Sequence, residues 1–413
     1  MMGPAPSTIA SAFSRLITDL DEDLRAVAAQ DLRRRLTTIE AVHGPVVRID
    51  GREVVCWCSN DYLGLSQHPA LACAATSAAE VWGVGSRASR LLAGTTRAHR
   101  ELEEVLAAWF GAEDAAVFAS GYLTNLGVLG ALVSSKDLVV IDRFAHASLF
   151  DAVRASRATL RVFHHNDASH AAKLLSRANG VRRRFLVTEG VFSMDGDRAP
   201  LGALVDVARM SEAVLYLDDA HGAFVLGATG RGSPEAAGLV HEDFLYIGTL
   251  GKALGCQGGF VVGPRTLIAA LHNRARTFLY ATALAPPIVA AAREALCLLE
   301  EEPQWRAQLA ARSRLLYERL GAIGIAPTAG PSHIIPIIIG ASGTALQVAR
   351  HLEERGIWAP AIRPPAVPDG TARLRLSITA LHTSAHIHAL AEALHDGLRA
   401  LAPAHRSRSS GER

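Results

Sequence analysis

The stretch Gly248-Thr-Leu-Gly-Lys-Ala-Leu-Gly255 decides how this chain is read. It follows Asp243-Phe-Leu-Tyr-Ile247, an apolar run with the character of a buried strand. A strand running into a glycine-rich turn delivers Lys252 to its carboxyl end, where open α/β sheets hold their ligands. Beside small apolar neighbours a lysine sheds its proton readily and becomes an amine nucleophile. Alone, it reads more simply as a solvated lysine on a turn. A second stretch, Leu215-Tyr-Leu-Asp-Asp-Ala-His-Gly222, shifts that balance. It too is an apolar strand, ending in Asp218, Asp219 and His221. A lysine to bond an aldehyde and an aspartate to hold a pyridinium nitrogen are what pyridoxal 5′-phosphate (PLP) chemistry requires.

The bulk properties allow such an enzyme and exclude other classes. At 413 residues, 49% hydrophobic and 20% charged, the chain is long enough for two or three domains with a large core. A formal net charge of +2 gives no field directed at nucleic acid or membrane. The triplets Arg33-Arg34-Arg35 and Arg182-Arg183-Arg184 read as solvated faces. No apolar run reaches the roughly 18 residues of a membrane span. The amino terminus lacks the basic-then-apolar order of a secretory signal. Five scattered cysteines, with Cys56 and Cys58 on one face of a strand, read as reduced thiols in a cytoplasmic protein.

Outward from the two motifs, a strand–helix alternation begins at Ala115. Strands are expected at Ala115–Ala119, Leu138–Asp142, Leu160–His164, Arg184–Glu189, Val214–Asp218, Phe244–Thr249 and Gly259–Val262. Such units call for a mainly parallel sheet covered on both faces. Ahead of them lie loose residues 1–10, a helix over Ser11–Leu36, and a hairpin over Val46–Cys58 that turns on Asp50-Gly51. Beyond Pro287 the periodicity predicts one long helix over Ile288–Leu320. A strand (His333–Ile339), a helix (Ala345–Arg355), a strand (Arg373–Thr379) and a closing helix (Ser384–Leu401) follow. The division expected is a segment 1–58, a large cofactor-binding domain 59–287, a small α+β domain 288–401 and a disordered tail 402–413.

Other chemistries were weighed against the same residues. Gly83-Val-Gly-Ser-Arg-Ala fits a dinucleotide fingerprint formally, but a helical pattern precedes it where a strand should. The glycine spacing before Lys252 is too short for a phosphate-binding P-loop. Asp218, Asp219 and His221 have no complementary metal-ligand set elsewhere. Ser193 with His146 or His221 lacks the G-x-S-x-G elbow of a hydrolase. A PLP site uses the whole set. Asp218 would keep the pyridine nitrogen protonated, His146 would stack on the ring, and the amides at Ser120-Gly121-Tyr122 would receive the phosphate at a helix start.

Four motifs then occur in order: Ser59-Asn-Asp-Tyr-Leu-Gly-Leu65, Thr188-Glu-Gly-Val-Phe-Ser-Met-Asp-Gly-Asp197, Asp218-Asp-Ala-His-Gly222 and Gly248-Thr-Leu-Gly-Lys252. Together they resemble the α-oxoamine synthase family of fold-type I PLP enzymes, over about residues 20–400. The fold implied is a large, mainly parallel seven-stranded sheet domain with a smaller α+β carboxyl-terminal domain. The resemblance makes Lys252 the cofactor lysine, Asp218 the pyridinium partner and His146 the stacking ring. It places Ser193 and His221 near the phenolic oxygen, and Gly121, Tyr122 and Thr249 near the phosphate. Thr282 would reach the phosphate of a neighbouring subunit, which implies a homodimer with shared sites. Asn60 and Arg375 would hold the amino acid carboxylate, and Arg33 would sit by the acyl substrate.

Within the family, Ala361–Arg375 most resembles the members that join L-alanine to pimeloyl-CoA or a pimeloyl-carrier protein. Ala366, in place of a threonine, and the Ser86-Arg-Ala-Ser89 loop depart from that pattern and bear on the choice of acyl chain. Rival readings are another amino acid with another acyl-CoA, an aminotransferase, and a non-catalytic relative. The last would lack the lysine.

Overall fold

The structure, a computed structural model, describes residues 11–401 except 178–179, 241–243, 326 and 328–329. The expected loose start (1–10) and disordered tail (402–413) lie outside the described residues. At the centre is a seven-stranded sheet. Across it the strands run Asp114–Phe118, Gly259–Gly263, Leu245–Thr249, Ala213–Asp218, Arg184–Glu189, Leu138–Asp142 and Thr159–Phe163. All neighbours from Leu245–Thr249 to Thr159–Phe163 are parallel, while Gly259–Gly263 is antiparallel to both of its neighbours. The seven expected strands are therefore all present, with ends shifted by a residue. Leu138-Val-Val-Ile-Asp142 shows why: every residue of it is buried, as a parallel strand with both faces covered must be.

The order reverses between the strands ending at Asp142 and Glu189. Later strands are added on one side of Leu138–Asp142, and Thr159–Phe163 lies on the other. The crevice beyond the carboxyl ends of those strands is the switch point at which such sheets bind ligands. Here Glu189 pairs in register with Asp218, and Asp218 with Ile247. The helix Gly121–Leu132 starts in the same crevice. Gly259 allows this. A Cβ there would lie 2.4 Å from Thr124 Oγ1 and 2.6 Å from Gly121 Cα.

Two helices differ from expectation. The helix predicted over Ile288–Leu320 is two, Pro286–Glu301 and Gln304–Ala322. Pro303 removes a backbone donor and disfavours helical geometry at Glu302, so the periodicity carries across a break. The first helix spans Ala12–Ala29 and stops short of Leu36. Asp31 adopts φ 58°, and the amide of Leu32 returns to the Val27 carbonyl, which closes the helix end. Its apolar positions Phe13, Ile17, Leu20 and Leu24 are exposed on this chain.

The carboxyl-terminal unit has a three-stranded antiparallel sheet: Ile334–Gly340, Ala372–Ser377 and Ala361–Ile362. Its segment Ile357–Trp358 pairs parallel with Arg52–Cys56 of the hairpin. The amide of Ser377 donates to the Trp57 carbonyl and that of Ala380 to the Tyr62 carbonyl. These bonds bring Ser59–Leu65 from one end of the chain and Arg375 from the other to the same crevice.

Candidate active site

Lys252 stands just after the strand Leu245–Thr249, on a turn closed by the Gly255 amide to the Lys252 carbonyl. Its Nζ lies 2.7 Å from His221 Nε2, and His221 Nδ1 lies 2.6 Å from the Tyr62 hydroxyl. The Tyr62 hydroxyl is 3.1 Å from Asn60 Oδ1 and accepts from Arg375 Nη2 at 3.3 Å. One assignment satisfies the chain: Lys252 donates to Nε2, Nδ1–H donates to Tyr62, and Tyr62 donates to Asn60. Burial, then the neighbouring Lys252 and Arg375 charges, hold the His221 pKa well below its ordinary value. His221 is thus a neutral acceptor that fixes the amine without competing for its proton.

Burial pulls Lys252 down to about 8, with Asp218 and Glu189 opposing the shift and Arg375 adding to it. A lysine of ordinary pKa is almost wholly protonated at neutral pH. The rate at which apo-protein captures PLP should therefore rise with pH, with a midpoint at about 8. Stopped-flow absorbance between about pH 6 and 10 checks this. A midpoint at the ordinary lysine value would contradict it.

Asp218 is held by two donors: Asn125 Nδ2 at 2.7 Å and the Ala220 amide at 3.0 Å. Asn125 also donates to Ser148 Oγ at 2.9 Å and accepts from the Tyr216 hydroxyl at 2.8 Å. Ser148 Oγ in turn lies 2.8 Å from His146 Nδ1. The network leaves the Asp218 carboxyl pre-aimed and joins it to the His146 ring. Asp219, one residue on, faces elsewhere. It accepts from Ser233 N at 2.8 Å and the Tyr246 hydroxyl at 2.8 Å, and it serves the core. Asp218 is the last residue of its strand and Asp219 the first beyond it, and their different partners separate the pair.

The helix starting at Gly121 is capped by Ser120, whose Oγ accepts from the Leu123 amide at 3.2 Å. Its first-turn amides are an anion site in waiting. The Tyr122 hydroxyl is committed to Asp151, so what Tyr122 offers there is its amide. Thr249 borders Gly121, donates to the Gly258 carbonyl at 2.8 Å and accepts from the Gly251 amide at 3.1 Å. The carboxyl of Glu189 is buried with Oε1 unpartnered. Burial, then Asp218, raises its pKa well above the ordinary carboxyl value. A pyridine ring and phosphate fit this donor set. It offers an amine of lowered basicity, a carboxyl held by two donors, a helix start and the His146 ring in one crevice.

Arg375 is buried and donates to the Ser193 carbonyl, to Asn60 Oδ1 at 3.1 Å and to Ser377 Oγ at 2.7 Å. Among the described residues no carboxylate neutralises it. A cavity of about 1040 Å³ opens alongside, reached from His146 and Ser193. Its walls include Phe144, Phe150, Phe163, Phe192 and Met194, with Arg143 in its lining and Pro364–Asp369 across from them. Ala366 lies in that wall. The Ser86–Ser89 loop does not, because it packs against Thr282 to Leu284. Thr282 is exposed on this chain. Arg33 is exposed too, and only its carbonyl meets Arg363, at 3.4 Å. Its neighbour Arg34 reaches the cavity wall instead, donating to the Pro364 carbonyl at 2.9 Å. Three adjacent arginines gave no means of choosing between them.

The motifs therefore located Lys252, His221, Asp218, Asn60 and Arg375, and the fold brings them together. Tyr62, Asn125, Ser148 and Glu189 were not assigned roles. Tyr62 and Glu189 sit inside quoted motifs, which was their one signal. Ser148 lies two residues after His146, in the stretch that singled His146 out, and Asn125 had no signal.

Comparison with known proteins adds the following. Residues 52–394 match the family described as aminotransferase class I and II. A putative 8-amino-7-oxononanoate synthase of Desulforudis audaxviator is 46% identical, covering 91% of this chain and 97% of that one. The 8-amino-7-oxononanoate synthase of Bordetella petrii is 45% identical, covering 92% and 97%. A solved structure of serine palmitoyltransferase from S. paucimobilis, with PLP and myriocin bound, superposes with TM-score 0.89. It is 30% identical and covers 95% of this chain and 99% of that one.

Proposed function

The chain belongs to the class I and II aminotransferase family, in its α-oxoamine synthase branch, and we propose that it makes 8-amino-7-oxononanoate for biotin biosynthesis. The reaction joins L-alanine to the acyl carbon of pimeloyl-CoA, or of a pimeloyl-carrier protein, and releases CO2 and the free thiol. It is a PLP-dependent acyl transfer. One observation carries the reading at this site: a polar crevice built for an amino acid meets an apolar cavity built for a chain, at His146 and Ser193.

PLP, when bound, supplies an aldehyde for amine capture and a protonated ring that accepts electron density from the amino acid. The chain's residues do the rest. Gly121, Tyr122 and Thr249 would hold the phosphate, and His146 the ring face. Asp218 would hold the proton on the ring nitrogen. Ser193 and His221 would face the phenolic oxygen. Lys252 moves the proton on the alanine Cα, with its nitrogen placed by His221. Arg375 and Asn60 hold the alanine carboxylate, and Arg375 suits this because it is buried with no carboxylate partner among the described residues. A hydrogen bond to a charged group contributes about 1.5–3 kcal/mol. Arg375→Lys should therefore raise KM for L-alanine about 10- to 100-fold, with a smaller change in kcat. Steady-state kinetics checks this, and an unchanged KM removes the assignment.

The acyl chain would lie along Phe144, Phe192 and Met194, with Arg34 or Arg143 rather than Arg33 near its far end. We take the working form to be a homodimer. Leu91, Leu92 and Tyr280 are exposed around Thr282, and a second copy would cover them while Thr282 reached its phosphate site. Among the described residues no helix is long and apolar enough to cross a membrane, and we place the enzyme in the cytoplasm. The test is a substrate panel. L-Alanine with pimeloyl-CoA should release CO2 and thiol. Turnover only with glycine or serine and another acyl-CoA would keep the family and refute this reaction.

A further inference from the structure

Behind the two aromatic walls of the cavity sits a histidine that the reaction does not use. His165 follows the strand Thr159–Phe163. Its Nδ1 lies 2.9 Å from Asp142 Oδ1 and its Nε2 lies 2.7 Å from Asp197 Oδ2. Ionised carboxylates only accept, so both ring nitrogens must carry protons, and the ring is an imidazolium. Asn166 repeats the bridge. Its amide donates to Asp142 Oδ2 at 2.9 Å and its Nδ2 to Asp197 Oδ2 at 2.7 Å.

Each carboxylate anchors a loop of the site. Asp142 ends the sheet strand before His146 and accepts from the Phe144 amide at 2.8 Å. Asp197 closes the turn that carries Ser193: the Phe192 amide donates to the Asp197 carbonyl at 2.9 Å, and Val191 pairs with Arg198. The His165 ring also packs against both walls, 4.6 Å from Phe144 and 4.4 Å from Phe192 between centroids. A cation beside aromatic rings strengthens such packing.

We propose that His165 is a positioning residue: its imidazolium, held between Asp142 and Asp197, locks the His146 loop to the Ser193 loop and sets the acyl cavity's walls. The clause about the cavity rests on the function proposed above. Among the described residues, the charged groups bonded to the ring are these two carboxylates, and Phe144 and Phe192 are neutral. Burial works against the charge, but the hydrogen bonds to Asp142 and Asp197 outweigh it and raise His165 to about 9. A raised pKa means the clamp is complete below this value and lost as pH rises through it.

The test uses the PLP-loaded enzyme without L-alanine, so that no turnover intervenes. Calorimetric titration should give a pimeloyl-CoA Kd that is constant from neutral pH to about 9 and weakens above it. His165→Phe keeps the ring but not the charge. It should bind about tenfold more weakly at neutral pH and lose the pH dependence. Asp197→Asn, which removes one charge partner, should move the weakening to lower pH and serves if the first variant fails to fold. The PLP release rate, measured by fluorescence at one fixed pH, should rise about tenfold in His165→Phe. If the variant keeps both the wild-type release rate and the wild-type pH profile, the proposal is overturned. If wild type binds no pimeloyl-CoA at any pH, the acyl reading falls, and the release rate still decides the clamp.

Discussion

Lys252→Ala should abolish turnover of L-alanine with pimeloyl-CoA. On the proposed function Lys252 would do two things, bond the cofactor's aldehyde and move a proton at Cα, and alanine can do neither. Proton transfer by a placed side chain is worth about 10²- to 10⁴-fold. A loss of at least about a thousandfold in kcat, or ~4 kcal/mol, is therefore expected. His221 is a poor substitute, because burial holds its pKa well below the ordinary value and so makes its ring nitrogen a weak base. Thiol release measures the rate. A borohydride-treated sample measures the bond: wild type should gain the cofactor's mass at Lys252, and the variant should not. Turnover within tenfold of wild type would end the assignment.

Asp218→Asn should leave the cofactor bound and slow the chemistry. The carboxyl is positioned by Asn125 and the Ala220 amide, so its orientation is built before any substrate arrives. An amide of the same shape can sit there, but it carries no negative charge to hold a proton on the ring nitrogen. Loss of one preorganised electrostatic partner typically costs about 2.7–4 kcal/mol, a factor of about 10² to 10³. The reading is deuterium exchange at the Cα of L-alanine without acyl donor, which isolates the step before acyl transfer. Exchange at the wild-type rate would remove Asp218 from the electron-withdrawing role. The Asn125 contact adds a complication that the experiment can use. The introduced amide has one acceptor oxygen where the carboxylate had two: it serves either Asn125 Nδ2 or the Ala220 amide, and in the second case Asn125 must flip and the Tyr216 hydroxyl loses its acceptor.

The strands and the lysine were readable from local pattern. Leu138–Asp142 and Leu245–Thr249 are buried throughout and apolar until their polar last residues, and a parallel sheet must place such ends on one edge. That put Lys252, Asp218 and the Gly121 helix start in one crevice before any coordinates. Pro303 shows the opposite case. The helical period ran through it and hid the break, because periodicity counts side chains while a proline acts on the backbone.

What only the tertiary structure decided is which side chains meet. Asn125 reaches Asp218 across 93 residues of sequence, and Arg375 reaches Asn60 across 315. No spacing rule spans such distances, since they are set by strand order and by the pairing of Arg52–Cys56 with Ile357–Trp358. The choice of Arg34 over Arg33 at the cavity wall has the same origin. Helical geometry ends at Ala29, and the chain beyond is placed by its contacts with Arg363 and Pro364. By itself the sequence determined the fold and placed Lys252 and Asp218 at the carboxyl ends of neighbouring strands, because each follows from residue type and local period. The hydrogen-bonded network that aims them, the cavity and the His165 clamp came from packing between distant segments, which local pattern does not encode.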